Sequence, residues 1–202
     1  MGTLILSDLT KRFDEKLLFS HLSYSFPERG LFLLLGESGS GKTTLFRMIA
    51  GLDTDFQGSI AGGGKQNVSI AFQEHRLLPV LSALGNVAEA LRPQYSDYAQ
   101  ATAEAEKALY SLGFPKEDFK ARPAALSGGM RQRVSLARAF SVKRPILLLD
   151  EPEKELDAVL RGRLYDAISR EKSDRLILVS SHTPEHLLGI ADGALSIPTQ
   201  NP

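Results

Sequence analysis

Short apolar runs alternate with longer amphipathic stretches along this chain, the rhythm of an α/β domain in which buried strands take turns with helices. Residues 3–6 and 22–26 read as two strands. Residues 31–35, Leu-Phe-Leu-Leu-Leu, are continuously apolar, too short for a helix and closed by Gly36, so they predict a strand covered on both faces. From Thr43 the pattern turns helical and stops near Gly51. Residues 58–64 are rich in glycine and carry little core, which predicts a small antiparallel hairpin whose far strand is 68–72. Between about residues 76 and 125 the character changes, because 83–91 and 99–112 are alanine-rich with apolar residues at helical spacing. Strand character returns at 146–149 and 176–179 with a helix over 156–170 between them, and 194–197 reads as a last short strand. The expected organisation is one domain over 1–202, with core and β region from 1–75 and 126–202 and a helical arm over about 76–125.

A chain of 202 residues buries enough surface for one core without covalent staples. There is no cysteine, which excludes disulfides, thiolate metal sites and cysteine nucleophiles. Lys plus Arg and Asp plus Glu are each 24, so no net field draws the chain to nucleic acid or to an anionic membrane. The first residues lack a basic stretch leading into a long apolar run, so they do not read as a secretory signal. The longest apolar runs fall far below the roughly 20 residues that cross a bilayer. A cytoplasmic protein able to dock on a membrane partner is the expectation.

The strongest local signal is Gly36-Glu37-Ser38-Gly39-Ser40-Gly41-Lys42-Thr43-Thr44, set between a strand and a helix. Glycines there let successive backbone N–H groups curl around phosphate oxygens, and the helix N-terminus adds donors of its own. Lys42 is expected to reach the β- and γ-phosphates of ATP and the Thr43 hydroxyl to ligate Mg²⁺. The plain alternative is a glycine-rich turn with no ligand, and the strand–loop–helix setting argues against it.

Residues 146–149 lead into Asp150-Glu151, which places Asp150 at the C-terminal edge of a sheet, where open α/β sheets bind ligands. Asp150 then serves as a metal ligand, and Glu151, one residue farther on, as the base for the attacking water. A solvated strand end is the bland reading of two acids, and a phosphate-loop kinase passing phosphate to a second substrate is the sharper rival.

The run Ala125-Leu126-Ser127-Gly128-Gly129-Met130-Arg131-Gln132-Arg133 resembles the signature motif of ATP-binding cassette ATPases, and the other motifs follow in that family's order. Read from the residues alone, Ser127 caps a helix and Gly128 and Gly129 expose donors, a second anion-binding surface. The resemblance implies a P-loop NTPase core of the cassette type, with a small antiparallel β subdomain and an inserted helical subdomain. It implies that Phe13 stacks on adenine, that Gln73 touches Mg²⁺ or the attacking water, that Asp157 is the aspartate after the acid pair, and that His182 contacts the γ-phosphate and braces Glu151. It implies a head-to-tail homodimer, in which Ser127, Gly128 and Gly129 of one copy cover the ATP held by Ser38 and Lys42 of the other. Three features depart from the family pattern: a short β region, Met130 for the usual glutamine, and the charges Glu153, Lys154 and Glu155 where small or apolar residues are common.

Residues 73–87 resemble the corresponding stretch in ATPases of nitrate, sulfonate and taurine importers. The resemblance implies solute import through a separate membrane permease, with a solute-binding protein in the complex and the ATPase peripheral on the cytoplasmic face of the inner membrane. Leu77, Leu78, Val80 and Leu81 are either a docking surface or core of the helical arm. The alternatives to import are a lipid-handling or envelope-remodelling permease and a cassette ATPase with no transport role; nucleic acid is not an expected partner.

Overall fold

The computed structural model describes residues 3–13 and 16–197. They divide into two compact units. The first comprises Met1–Ile70, Arg144–Asp150 and Ile168–Pro202, and the second Ala71–Lys143 and Glu151–Ala167.

The first unit is built on two sheets. In one, β1 (Ile5–Phe13) lies between β2 (Lys16–Ser25) and β4 (Gln57–Ala61), antiparallel to both. In the other, the order is β5 (Val68–Ala71), β6 (Ile146–Asp150), β7 (Leu176–Ser180), β3 (Gly30–Leu35), β8 (Gly193–Ser196). Strands β6, β7, β3 and β8 run parallel. Every residue of β6 and β7 is buried, which explains why their sequences are apolar without alternation. Leu34, Leu45, Phe46, Ile49, Leu148 and Leu178 share one core with Leu4, Leu6 and Phe26. Phe46 is 0% exposed, so its truncation to alanine costs about 3–5 kcal/mol.

The predicted hairpin between 58–64 and 68–72 does not form. β4 pairs with β1, Ile5 facing Ala61 and Leu6 facing Ile60, while β5 joins the other sheet beside β6. The two strands end up as edges of different sheets with different burial: Val68, Ser69 and Ala71 are buried in β5, at one edge of the five-stranded sheet, whereas β4 is mostly exposed at the edge of the three-stranded one. The first two strands also run longer than 3–6 and 22–26. Their alternation is broken where Asp8 and His21, both at φ 53, shift the register of β1 against β2. An Asp8 carboxylate oxygen lies 2.7 Å from His21 Nδ1 across that irregularity.

Helix α1 (Lys42–Ile49) follows β3, and α6 (Glu185–Leu188) follows β7. The second unit packs α2 (Ala83–Leu91), α3 (Tyr98–Ser111) and α4 (Gly128–Ser141) against one another. Ala83, Ala88, Ala101, Ala105 and Ala137 are buried there, and these small side chains let the helices approach closely. Side chains cap each start: Ser82 accepts from the Gly85 N–H, Asp97 from Ala99 and Ser127 from Met130. α5 (Ala158–Glu171) begins two residues later than its sequence pattern suggests, because Asp157 accepts from the Leu160 N–H at 2.9 Å and so stands outside the first turn. Among the described residues no helix is long and apolar enough to cross a membrane.

Candidate functional site

β3 delivers the chain into the loop from Gly36, and α1 leaves it from Lys42. Gly36 sits at φ 154, where a Cβ would press within 2.6 Å of Ser40 Oγ, so only glycine lets the loop close this tightly. Gly41 precedes α1 at φ 100, and no side chain caps that helix, in contrast to α2, α3 and α4. Its first turn follows directly on the loop from Gly36 to Gly41, in which three of six residues are glycine and two are serine. The Lys42 side chain, 6% exposed, folds back so that its ammonium donates to the carbonyls of Gly36 at 2.7 Å and Glu37 at 2.9 Å. Ser40 is buried and its hydroxyl has no hydrogen-bond partner within the protein. Ser38 and Gly39 are exposed, and Thr44 is half-buried in the first turn of α1.

Thr43 and Asp150, far apart in sequence, meet at the end of the parallel sheet. The Thr43 hydroxyl donates to Asp150 Oδ2 at 2.7 Å, and the Ser180 hydroxyl donates to Asp150 Oδ1 at 2.5 Å. Asp150 is 2% exposed, so both carboxylate oxygens are held in place by charge-assisted bonds. Sequence reasoning missed Ser180. The signal was present: aligning the ends of the two apolar runs pairs Asp150 with Ser180, as the register shows. His182 lies exposed two residues beyond β7, at the same sheet edge.

Gln73 and Glu151 belong to the second unit. Gln73 is exposed just beyond β5. Glu151 takes the left-handed conformation at φ 49, which breaks β6 immediately after Asp150. In that unit the segment after Glu151 packs against the start of α4. Buried Gln132 donates to the Pro152 carbonyl at 2.9 Å, and the Glu155 carboxylate rests on Gly128 while its main-chain oxygen faces Gly129. The signature residues and the charged segment that departs from the family pattern are therefore direct neighbours. Ser127 is exposed, with Gly128 and Gly129 half-buried. His75 Nε2 lies 3.8 Å from Glu155 Oε2, and burial lowers the His75 pKa against the opposing pull of that carboxylate.

The stretch 77–81 divides residue by residue: Leu78 and Val80 are exposed, whereas Leu77 and Leu81 are half-buried. Asn86, 1% exposed, pins this loop by accepting from the Leu78 N–H and donating to the carbonyls of Leu78, Leu81 and Ser82. Phe13 ends β1 half-exposed, with the Lys11 ammonium 4.7 Å from its ring centroid.

The ABC transporter family model matches residues 19–154. The aliphatic sulfonates import ATP-binding protein of Paracoccus denitrificans is 39% identical over 189 residues, which take in 93% of this chain and 76% of that protein. The Escherichia coli protein of the same description is 34% identical over 202 residues, 96% of this chain and 76% of that one. An Fe(3+) ions import ATP-binding protein of Rhizobium meliloti is 37% identical over 203 residues, but the chain spans only 57% of its length. Among solved structures, the dimeric bacterial ABC transporter cassette MJ0796 shares the fold, with a TM-score of 0.88 at 22% identity over 96% of this chain and 94% of that one. A family match over residues 19–154, joined by 39% identity to a relative along nearly the whole chain, places this protein: it belongs to the ABC transporter family, as an ATP-hydrolysing subunit.

Proposed function

We propose that the chain binds ATP with Mg²⁺ on the loop from Gly36 to Thr44 and hydrolyses it in a head-to-tail dimer, so driving import of a small solute through a separate membrane permease. The meeting of Thr43 with Asp150 at the sheet edge carries this reading, since a hydroxyl and a carboxylate form an oxygen donor pair of the kind Mg²⁺ takes. Gln73 completes the proposed ligand set. The bound ion offsets the negative charge of the phosphates. The orphaned Ser40 hydroxyl and the uncapped start of α1 fit the phosphates themselves.

The chain's own groups divide the work. Lys42 and the loop N–H groups hold the β- and γ-phosphates, and Phe13 stacks on the base. Glu151 takes a proton from water as the water oxygen bonds to the γ-phosphorus and the bond to the bridging oxygen breaks. His182 contacts the γ-phosphate and holds Glu151 in position. Ser127, Gly128 and Gly129 of the second copy cover the same nucleotide, so ATP joins the two copies and its hydrolysis lets them part. Leu78 and Val80, exposed near Gln73 in the sequence, offer apolar contact to the permease. The sulfonate and Fe(3+) importers among the relatives favour import over other permease-linked work. The chain then sits on the cytoplasmic face of the inner membrane, as one cassette domain whose residues 76–125 form the helical arm, with a solute-binding protein joining through the permease.

Phosphate release and nucleotide binding, measured side by side, test the chemistry. Glu151→Gln is expected to slow release by at least about 100-fold, the usual worth of a positioned base, while ATP still binds. Unchanged release removes Glu151 from its role. Affinity capture from gently solubilised membranes tests the transport half: an integral membrane permease is the expected companion, and recovery of soluble proteins alone refutes import.

A further inference from the structure

Lys11 is 2% exposed, and no step of the hydrolysis uses it. Burying an ammonium is costly unless its donors are met. Here they are met in full: Nζ donates to Asp53 Oδ1 at 3.1 Å, to the Asp55 carbonyl at 2.5 Å and to Asp55 Oδ2 at 3.4 Å. The same ammonium lies over the Phe13 ring, a cation–π contact that holds a half-exposed aromatic in one orientation.

The loop that Lys11 grips is the continuation of α1. The N–H groups of Leu52 and Asp53 donate to the Arg47 carbonyl at 2.8 and 3.2 Å, and Asp55 N–H donates to Asp53 Oδ1 at 3.1 Å. Lys11 thus ties the Phe13 ring to one end of the helix whose other end forms the phosphate loop. Between ring and helix lies a cleft of 320 Å³ lined by Phe13, Thr44, Arg47 and Leu52 with the loop 53–55. Thr44 belongs to the phosphate loop and Phe13 bounds the cleft elsewhere, an arrangement suited to a base whose phosphates sit on that loop.

We propose that Lys11 is a positioning residue for the nucleotide base: it locks Phe13 and the loop 53–55 together and so sets the base subsite relative to the phosphate loop. The proposal rests on the phosphate loop being the nucleotide site. Its test is titration calorimetry with Mg²⁺-ATP and with Mg²⁺-tripolyphosphate, which lacks the base. Wild type is expected to bind ATP more tightly than tripolyphosphate. Lys11→Met and Phe13→Ala should each weaken ATP by about tenfold, the scale of one lost base–aromatic stack, and leave tripolyphosphate affinity unchanged. The double variant should be no worse than either single one, and Lys11→Arg, which keeps the cation, should restore most of the loss. Should Lys11→Met not fold, Asp53→Asn removes the anchoring charge at constant size and is expected to show the same split. Equal losses for both ligands, or independent losses in the double variant, overturn the proposal and leave Lys11 a structural ion pair. Wild type that binds ATP and tripolyphosphate alike removes base positioning while the phosphate loop stands, and wild type that binds neither overturns the nucleotide reading with it.

Discussion

Gly128 and Gly129 open α4 against the segment that follows Glu151, and the two positions place different demands on it. A Cβ at Gly128 lands on the Glu155 carboxylate, the tip of an exposed side chain that also lies 3.8 Å from His75 Nε2. That carboxylate is free to swing toward solvent, so Gly128→Ala should cost under about 1 kcal/mol. A Cβ at Gly129 instead meets the Glu155 main-chain oxygen at 2.6 Å. Relief there requires moving backbone that is already left-handed, at φ 64, and tied nearby by the Gln132 bond to Pro152. Overpacking against main chain of this kind costs about 2–3 kcal/mol. For a protein of this size that lowers the melting temperature by roughly 4–12 °C. Thermal unfolding followed by circular dichroism without nucleotide reads the difference. Glu155→Ala should rescue Gly128→Ala in full and Gly129→Ala hardly at all, because it removes the carboxylate and leaves the carbonyl. A Gly129→Ala protein melting with wild type, or rescue of both variants alike, refutes the reasoning.

Three other perturbations probe the loop at 78–82, an acid at the edge of the core sheet, and the dimer. Asn86→Leu strips four hydrogen bonds from the loop at 78–82 and should cost about 2–4 kcal/mol, with faster amide exchange in that loop as its local signature. The Asp192 carboxyl is held below its usual pKa, first by the Leu31 N–H that it accepts and also by Lys172, so its stabilisation is present above the unfolded value near pH 4 and fades as pH falls through the lower folded value. The melting gap between wild type and Asp192→Asn should therefore be widest near neutrality and close in acid; a gap independent of pH contradicts it. Ser127→Arg, made in the Glu151→Gln protein, should abolish the ATP-dependent dimer seen by light scattering, and a dimer that persists rules out the head-to-tail arrangement.

What was legible in the sequence was what is local. The phosphate loop announces itself through glycines, a lysine and a hydroxyl within nine residues, flanked by a strand and a helix that the structure contains. Ser127 was readable because a cap acts within one turn, whereas the helix expected from 156 overlooked the same role for Asp157. What was not legible depends on partners distant in sequence. The residues at 58–64 look like half of a hairpin, yet whether they pair with the strand ahead or with β1 is settled by which strand the core admits. Phe13 closes β1 rather than following it, because the irregularity at Asp8 masks the continuation of the strand in a polar stretch. The burial of Lys11 has no local signal, since the carboxylates it meets, Asp53 and Asp55, lie beyond the end of α1. The resting place of Glu155 on Gly128 joins residues 27 positions apart, and motif order alone does not foretell it.

The position of β3 in its sheet sets a timetable for synthesis. Both of its neighbours, β7 and β8, come from the last part of the chain, and its pairing runs from Gly30 opposite Leu176 to Leu35 opposite Ser196. At about 5–20 residues per second a ribosome needs several seconds to half a minute to add the residues that separate β3 from β7. Through that interval the apolar strand feeding the phosphate loop is already made and lacks its sheet partners. Nascent chains arrested before Leu176 should hold this segment open to chaperones, and the nucleotide loop should take shape only when the final strands arrive.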